Sequence, residues 1–148
     1  MPIEDFLLPF GGRLSAENRW GKLSKLMPWD IIEDIYAEKF KNEKSDGPRP
    51  LSARIAFGSL HIQASECFTD EKTVENISEN PYLQYFLGLH EFRAETLFDP
   101  SMMTHFRKRF TADDIAKNNE ELYRRTHAPK DEPPLRRQMC AIPRICLC

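Results

Sequence analysis

Residues 51–64 read Leu51-Ser-Ala-Arg-Ile-Ala-Phe-Gly-Ser-Leu-His-Ile-Gln-Ala64, and this stretch decides the fold. At about 100° per residue, Leu51, Ile55 and Ile62 fall on one side of a helix. Nearly opposite them lie Ala53, Phe57, Leu60 and Ala64. The two apolar stripes are separated by polar seams of Ser52, Ser59 and Gln63 on one flank and of Arg54 and His61 on the other. Two stripes predict a helix covered from two directions, in the middle of a helical core.

Gly58 lies inside this predicted helix, where glycine costs up to about 1 kcal/mol of helix propensity. We expect the missing side chain to let another backbone approach closely.

Length and composition describe one ordinary domain with a real core, since 148 residues with 41% hydrophobic and 30% charged content are typical of a soluble globular protein. No apolar run approaches the roughly 20 residues that span a bilayer. The start Met-Pro-Ile-Glu-Asp lacks the basic region of a signal peptide. We therefore expect a cytoplasmic protein with no membrane partner.

The charge is unevenly distributed along the chain. The net charge is -2 overall, but residues 101–148 carry 10 basic and 6 acidic side chains, a local net charge of +4. Residues 47–100 carry 4 basic and 8 acidic side chains, a local net charge of -4. If the protein meets a phosphate backbone, the last third is where it does so.

The cysteines do not predict a metal site. Cys67 is isolated, while Cys140, Cys146 and Cys148 have a spacing that fits neither paired zinc ligands nor a secreted disulfide framework. The acids Glu33, Asp34 and Glu38 accompany an ordinary amphipathic pattern, so they predict a solvated face. We expect no metal and no cofactor.

Helix signals divide residues 14–125 into a series of helices. An extended arm, residues 1–13, precedes them and docks by Phe6–Phe10 either on the domain itself or on a partner. Residues 126–148 show no apolar period and predict an irregular tail. The predicted helices begin near Leu14, Trp29, Leu51, Thr69, Pro81, Asp99 and Thr111, and the last has Ile115, Leu122, Ala116 and Tyr123 facing inward.

Two of these helices form an outline similar to a helix-turn-helix. Asn80-Pro81 separates them, and Gly88 ends the second as a glycine C-cap. Gln84 could read a base edge from the second helix, but five bulky apolar residues among seven positions favour a structural role.

The strongest functional candidates are basic side chains. Arg107, Lys108 and Arg109 follow one another, with His105 beside them and Lys117, Arg124 and Arg125 downstream. Such side chains on an exposed helix can release counterions from DNA phosphates. The alternative is a solvated face of an ordinary helix. No arrangement of nucleophile, base or metal ligands stands out, so no catalytic residue is predicted.

A series of motifs resembles the N-terminal domain of InsH-type transposases from bacterial insertion sequences. It covers roughly residues 6–125. The motifs are Asn18-Arg-Trp20, Pro28-Trp29, Gly47-Pro-Arg-Pro50, the Ser52–Leu60 helix, Thr73-Val-Glu-Asn-Ile-Ser-Glu-Asn-Pro-Tyr-Leu-Gln-Tyr-Phe-Leu-Gly-Leu89 and Phe98-Asp-Pro-Ser-Met-Met-Thr-His-Phe-Arg-Lys-Arg-Phe110.

The resemblance implies a helical domain for DNA binding and assembly, placed before an RNase H-like domain whose Asp-Asp-Glu carboxylates bind metal ions for DNA recombination. Residues from Leu135 onward do not resemble the segment that holds the first catalytic aspartate, and we expect a truncation or frameshift there. No catalytic residue is carried over.

The sequence therefore predicts an all-α bundle of five to seven helices that binds the element's terminal inverted repeats. Arg107, Lys108 and Arg109 are the predicted phosphate contacts, with Lys117, Arg124, Arg125, Arg49 and Arg54 as helpers. The alternative is a helical interaction module that pairs with itself or with intact transposase and modulates transposition without contacting DNA.

Overall fold

The computed structural model describes residues 2–41 and 50–127, and these form an all-α domain. Seven α-helices follow a short 3-10 helix at Ile3–Asp5: α1 Arg19–Leu26, α2 Trp29–Lys41, α3 Ala53–Glu66, α4 Asp70–Glu79, α5 Pro81–Phe86, α6 Met102–Arg109 and α7 Ala112–Thr126. The predicted fold class is confirmed. Within the described ranges, the only strand-like feature is an isolated bridge between Leu7 and Glu91.

Helix α3 is the centre of the core, as its sequence predicts. It packs against α2, α4 and α6, and Ala56, Phe57 and Ile62 are buried. The predicted stripes are correct only in part, because Ala64 is exposed and Ser59 is completely buried. Near its middle, α3 is therefore buried on one side that was predicted to be a polar seam, at Ser59.

Gly58 does provide a close approach, but to side chains. A Cβ atom built at this position would lie 2.5 Å from Leu87 Cδ2, 3.5 Å from Phe86 Cε1 and 3.6 Å from Trp29 Cη2. The expectation of a neighbouring backbone was wrong in this respect. The absence of a side chain at Gly58 allows Trp29 of α2, and Phe86 and Leu87 at the end of α5, to pack directly against α3.

Local capping signals place most helix starts correctly. The side chains of Thr69, Asn80 and Thr111 accept backbone N–H groups at the starts of α4, α5 and α7. Thr111 and Asp114 complete a capping box. These three caps come from neighbouring residues, which is why the sequence alone finds them.

The predicted start of α1 near Leu14 is wrong. Asn18 caps the helix by accepting the backbone N–H of Trp20. Leu14 is instead buried in a second apolar cluster with Ile3 and Phe6. The tertiary environment of Leu14 therefore keeps the chain out of a helix until Asn18.

The α4–α5 pair contains a buried amide. Asn80 is the single residue between the two helices. The Gln84 Nε2 donates to the carbonyl oxygens of Ile77 at 2.9 Å and Arg93 at 2.7 Å, and the Arg93 N–H donates to Gln84 Oε1 at 2.8 Å. Gln84 is fully buried, which confirms its structural role. Gly88 has φ +89°, as expected of the residue after a helix end.

The N-terminal arm docks on its own domain. Phe6 is buried and its ring lies edge-on to Tyr85, with 6.2 Å between centroids. The Leu7 N–H donates to the His90 carbonyl at 3.0 Å, and the Phe92 N–H donates to the Leu7 carbonyl at 2.9 Å. The far end of the arm is not covered in the same way, since Phe10 is 99% exposed.

Helix α7 is rotated relative to the prediction: Leu122 packs against the core and Tyr123 is half-buried, as expected, but Ala116 is exposed. Ile115 is 39% exposed, and Asn118 is completely buried in its place. Asn118 Nδ2 lies 3.7 Å from Met27 Sδ. Two ion pairs also join α7 to α2: Lys39 with Asp114, and Arg125 with Asp30. These long-range contacts set the helix rotation and override its apolar periodicity.

Some sequence predictions lie outside the described residues. These are Arg49, Cys140, Cys146, Cys148 and almost all of the predicted tail, residues 126–148. In the part of the chain that is described, no helix is both long enough and apolar enough to cross a membrane.

We predict that Gly58→Ala destabilises the domain by about 1 kcal/mol. Its methyl group meets Leu87, and overpacking of a core typically costs about 1–3 kcal/mol, which exceeds the roughly 1 kcal/mol gained in helix propensity. Urea unfolding followed by circular dichroism measures the change. Ser65→Ala, at an exposed position of the same helix, is the control and should not destabilise. Equal stability of both variants would contradict the close packing at Gly58.

Candidate nucleic-acid interface

Helix α6 carries three basic side chains and no acidic one. Its inner face is formed by Met103, Phe106 and the following Phe110, all buried. At about 100° per residue, Lys108 points away from this face, whereas Arg107 and Arg109 lie on its two flanks. The structure therefore spreads the three predicted contacts around the helix.

Arg107 reaches across to the start of α4. Its Nη1 and Nη2 donate to the two carboxylate oxygens of Asp70 at 2.8 and 2.9 Å. A third contact joins Nη1 to Gln63 Oε1 at 3.2 Å. The side chain is still 45% exposed. Arg107 is accessible to solvent but already has an anionic partner.

Asp70 is held in its charged form by this arrangement. The hydrogen bond from Arg107 is the largest cause and that from Gln63 is the next, and together they lower the pKa of Asp70 to about 2. Any phosphate that binds Arg107 in a bidentate manner must replace this carboxylate.

Arg109 turns to the opposite flank, toward α2. Its guanidinium carbon lies 5.0 Å from the ring centroid of Phe40 and 5.7 Å from that of Tyr36. Its Nη1 donates to the Tyr36 hydroxyl at 2.9 Å. This half-buried side chain packs as part of the α2–α6 contact.

Lys108 is exposed, and so are Thr104 and His105 on the same side of α6. Within residues 2–41 and 50–127, no hydrogen bond or ion pair occupies the Lys108 ammonium group. Lys108 is therefore the basic side chain of α6 that is most available to an external anion.

Helix α7 has a mixed charge. It carries four acidic and three basic side chains, a net charge of -1. Arg125 binds Glu121 at 2.9 Å and Asp30 at 3.1 Å, and Arg124 pairs with Glu121. Lys117 is exposed. Two of the three downstream helpers thus already have acidic partners inside the domain.

Arg54 occupies an interior position. Its Nε donates to the Phe86 carbonyl at 2.9 Å, and its Nη2 donates to Ser24 Oγ at 2.7 Å and to the Tyr85 carbonyl at 3.3 Å. The guanidinium also lies over Trp29, 4.6 Å from the ring centroid. These contacts tie α3 to α1, α2 and the end of α5.

Sequence reasoning missed the partners of the basic residues. These partners are Asp70 for Arg107 and Tyr36 for Arg109. Both partners are more than 30 positions away from their arginines, so no local spacing signals them. Among the described residues, no three His, Cys, Asp or Glu side chains are grouped so that they could hold a metal ion.

The chain belongs to the family of transposase domains described as "Transposase domain (DUF772)", whose model matches residues 9–109. The match ends with the last residue of α6. An uncharacterized protein from Rhizobium meliloti, ORF8 in the nfe locus, is 32% identical over 89 residues, which are 60% of this chain and 41% of that protein. The match thus spans less than half of that relative. No solved structure matches the chain.

Asp70→Asn should lower stability at neutral pH by no more than about 1 kcal/mol, because the Arg107–Asp70 pair is partly exposed to solvent. The pKa of Asp70 is about 2 in the folded protein against 3.8 ordinarily. The carboxylate therefore stabilises the fold above pH 3.8, and this contribution disappears as the pH falls toward 2. The stability difference from wild type should accordingly shrink over that window in urea titrations.

Glu71→Gln is the matched control, since Glu71 lies in the same first turn of α4 and is exposed. A Glu71→Gln variant as unstable as Asp70→Asn would show that the helix dipole matters rather than the contact with Arg107.

Arg54→Lys should destabilise the domain by about 1–3 kcal/mol, because one ammonium group cannot reach all the acceptors that the guanidinium satisfies. Chemical unfolding monitored at 222 nm measures this loss. The exposed Arg13→Lys should leave stability unchanged. Unchanged stability of Arg54→Lys would mean that its internal contacts are dispensable.

Proposed function

We propose that this domain binds DNA for an insertion-sequence transposase, with the outer face of α6 as the contact. The observation that carries the proposal is Lys108, an exposed cation on a helix with three basic and no acidic side chains. Membership in a transposase-domain family supports a role connected with DNA. The terminal inverted repeats of the element are the proposed ligand.

The two cations of the proposed contact differ in how readily they can bind a phosphate. Lys108 meets a phosphate directly. Arg107 joins when a phosphate oxygen displaces Asp70, so its contribution is reduced by the lost ion pair. Both contacts are electrostatic and independent of base sequence, and they would fix the position of the domain on the duplex.

The remaining basic residues have smaller parts in this proposal. Lys117 and Arg124 are exposed but lie on a helix whose net charge is -1. We leave Arg54, Arg109 and Arg125 out of the contact, because their guanidinium groups are engaged inside the domain. Arg49 lies outside the described residues.

The finer family assignment is also a proposal. The motifs at residues 73–89 and 98–110 support an InsH-type element. In such a transposase the strand-cutting carboxylates would belong to an RNase H-like domain. We assign no catalytic residue within this chain and propose that its described helices position DNA without cutting it.

Titration of labelled terminal-repeat duplex with the full chain, between about 50 and 200 mM salt, tests the contact. Lys108→Gln should weaken binding roughly threefold to tenfold and reduce the slope of log affinity against log salt by about one. Arg107→Gln should have a smaller effect of the same kind.

Lys25→Gln removes the same charge from an exposed position on α1 and should change neither affinity nor slope. A Lys108→Gln/Arg107→Gln variant with wild-type affinity and slope would contradict the proposed contact. Binding to a shuffled duplex of equal length separates phosphate contacts from base recognition.

A second candidate function is a protein-interaction module without DNA contact. It is favoured by the exposed apolar side chains at the end of the arm, Leu7 and Phe10, and by the net charge of -4 over residues 47–100. In this version the domain would pair with intact transposase. Size-exclusion chromatography of the mixture without DNA tests it directly: a stable complex together with no measurable duplex binding would favour this function.

A further inference from the structure

One side of α7 faces outward and is exposed along most of its length, with the His127 ring stacked on Tyr123 at its C-terminal end. At about 100° per residue, an arc of small and apolar residues runs along this side. It comprises Ala112, Ile115, Ala116 and Asn119, all exposed, and the half-buried Tyr123. Asn118 and Asp114 lie on the inner side. We name the outer side the α7 face.

The α7 face is bordered on one flank by four charged side chains. In chain order these are acidic, basic, acidic and basic: Asp113, Lys117, Glu120 and Arg124, all exposed. Within residues 2–41 and 50–127, neither Lys117 nor Glu120 has an ion-pair partner. This flank therefore has charges to offer to another molecule.

The order of these charges is self-complementary. When two copies of α7 pack antiparallel about a two-fold axis, the same flank of each helix meets the other. A register centred between Asn118 and Asn119 sets Lys117 of each copy beside Glu120 of its mate. The same register brings Asp113 beside Arg124, while the two Asn119 side chains meet near the axis.

We propose that the α7 face binds a second copy of this chain as an antiparallel helix pair. Two Lys117–Glu120 pairs fix the register, and Ile115 lies in the apolar contact. Two Asp113–Arg124 contacts add to this while Arg124 keeps its pair with Glu121. A parallel pairing would not bring opposite charges together in this way. The proposal requires no DNA contact, and it uses a helix beyond the family match at residues 9–109.

The interface is that of a weak dimer. One helix face is smaller than a standard protein–protein interface, so we expect a dissociation constant of roughly 10–100 µM. Sedimentation velocity of the full chain over about 1–500 µM, without DNA, should show a shift from monomer to dimer. A protein that stays monomeric throughout that range overturns the proposal. Coverage of the α7 face by another part of the same chain would give this result.

Charge exchange tests the register. Lys117→Glu alone and Glu120→Lys alone set like charges against each other twice, so each should raise the dissociation constant by at least about tenfold. An equimolar mixture of the two variants restores both attractive contacts and should form a heterodimer. The double variant Lys117→Glu/Glu120→Lys should associate within about threefold of wild type.

The matched control uses Lys72 and Glu75, which have the same i, i+3 spacing on α4 and are both exposed. Lys72→Glu, Glu75→Lys and their mixture should leave dimerisation as in wild type. Circular dichroism verifies that every variant is folded.

Apolar contact is tested separately. Ile115→Gln should raise the dissociation constant, while Leu26→Gln, at a similarly exposed apolar residue of α1, should not. If Ile115→Gln weakens the dimer but the mixture of charge variants does not associate, the antiparallel register is wrong and the proposal is overturned. Failure of the DNA titration has no bearing on these outcomes, because DNA is absent from them.

Discussion

The half-buried guanidinium of Arg54 is the interaction on which the arrangement of α1, α2, α3 and α5 depends. From the middle helix of the core it donates to the Phe86 and Tyr85 carbonyls and to the Ser24 hydroxyl, and it lies over Trp29. A planar group with several donors satisfies these acceptors simultaneously. Because the acceptors lie on α1 and α5 and the Trp29 ring belongs to α2, Arg54 sets how these three helices meet α3.

Two glycines allow the Arg54 side chain and its surroundings to pack this closely, because a Cβ at either position would clash. Gly58 lies against Leu87, and a Cβ at Gly88 would come within 2.9 Å of Arg54 Cδ. With α3 fixed in this way, α6 packs on it through Met103 and Phe106. Lys108 is consequently directed outward. The proposed DNA contact thus depends on the packing of α6 against α3. The charged flank of α7 belongs to a helix that is held by Asn118 and by ion pairs to α2.

The sequence predicts what is encoded locally. Thr69, Asn80 and Thr111 are recognisable caps because each bonds to a residue within three positions. The burial of α3 follows from its two apolar stripes. Gln84 is predicted to be structural from the bulky residues around it.

What the sequence does not predict depends on distant partners. Arg107 is bound to Asp70 and Arg54 to α5 carbonyls, at separations of 37 and 32 positions. The rotation of α7 is set by its contacts with Met27, Lys39 and Asp30, which an apolar period cannot reveal. The same holds for the candidate site. The composition of α6 shows that it is basic, but only tertiary contacts determine which of its basic side chains lacks an internal partner.

The aromatic centre has an optical consequence. The two tryptophans of the chain both pack against Phe86, with ring centroids 5.1 and 5.2 Å away, although they belong to different helices. Burial lowers the pKa of the neighbouring His61, which favours the uncharged ring beside Trp20. Intrinsic fluorescence of this protein is therefore a reporter of the α1–α2–α3–α5 junction. Labels on the exposed side of α7 would follow that helix separately from the tryptophan junction.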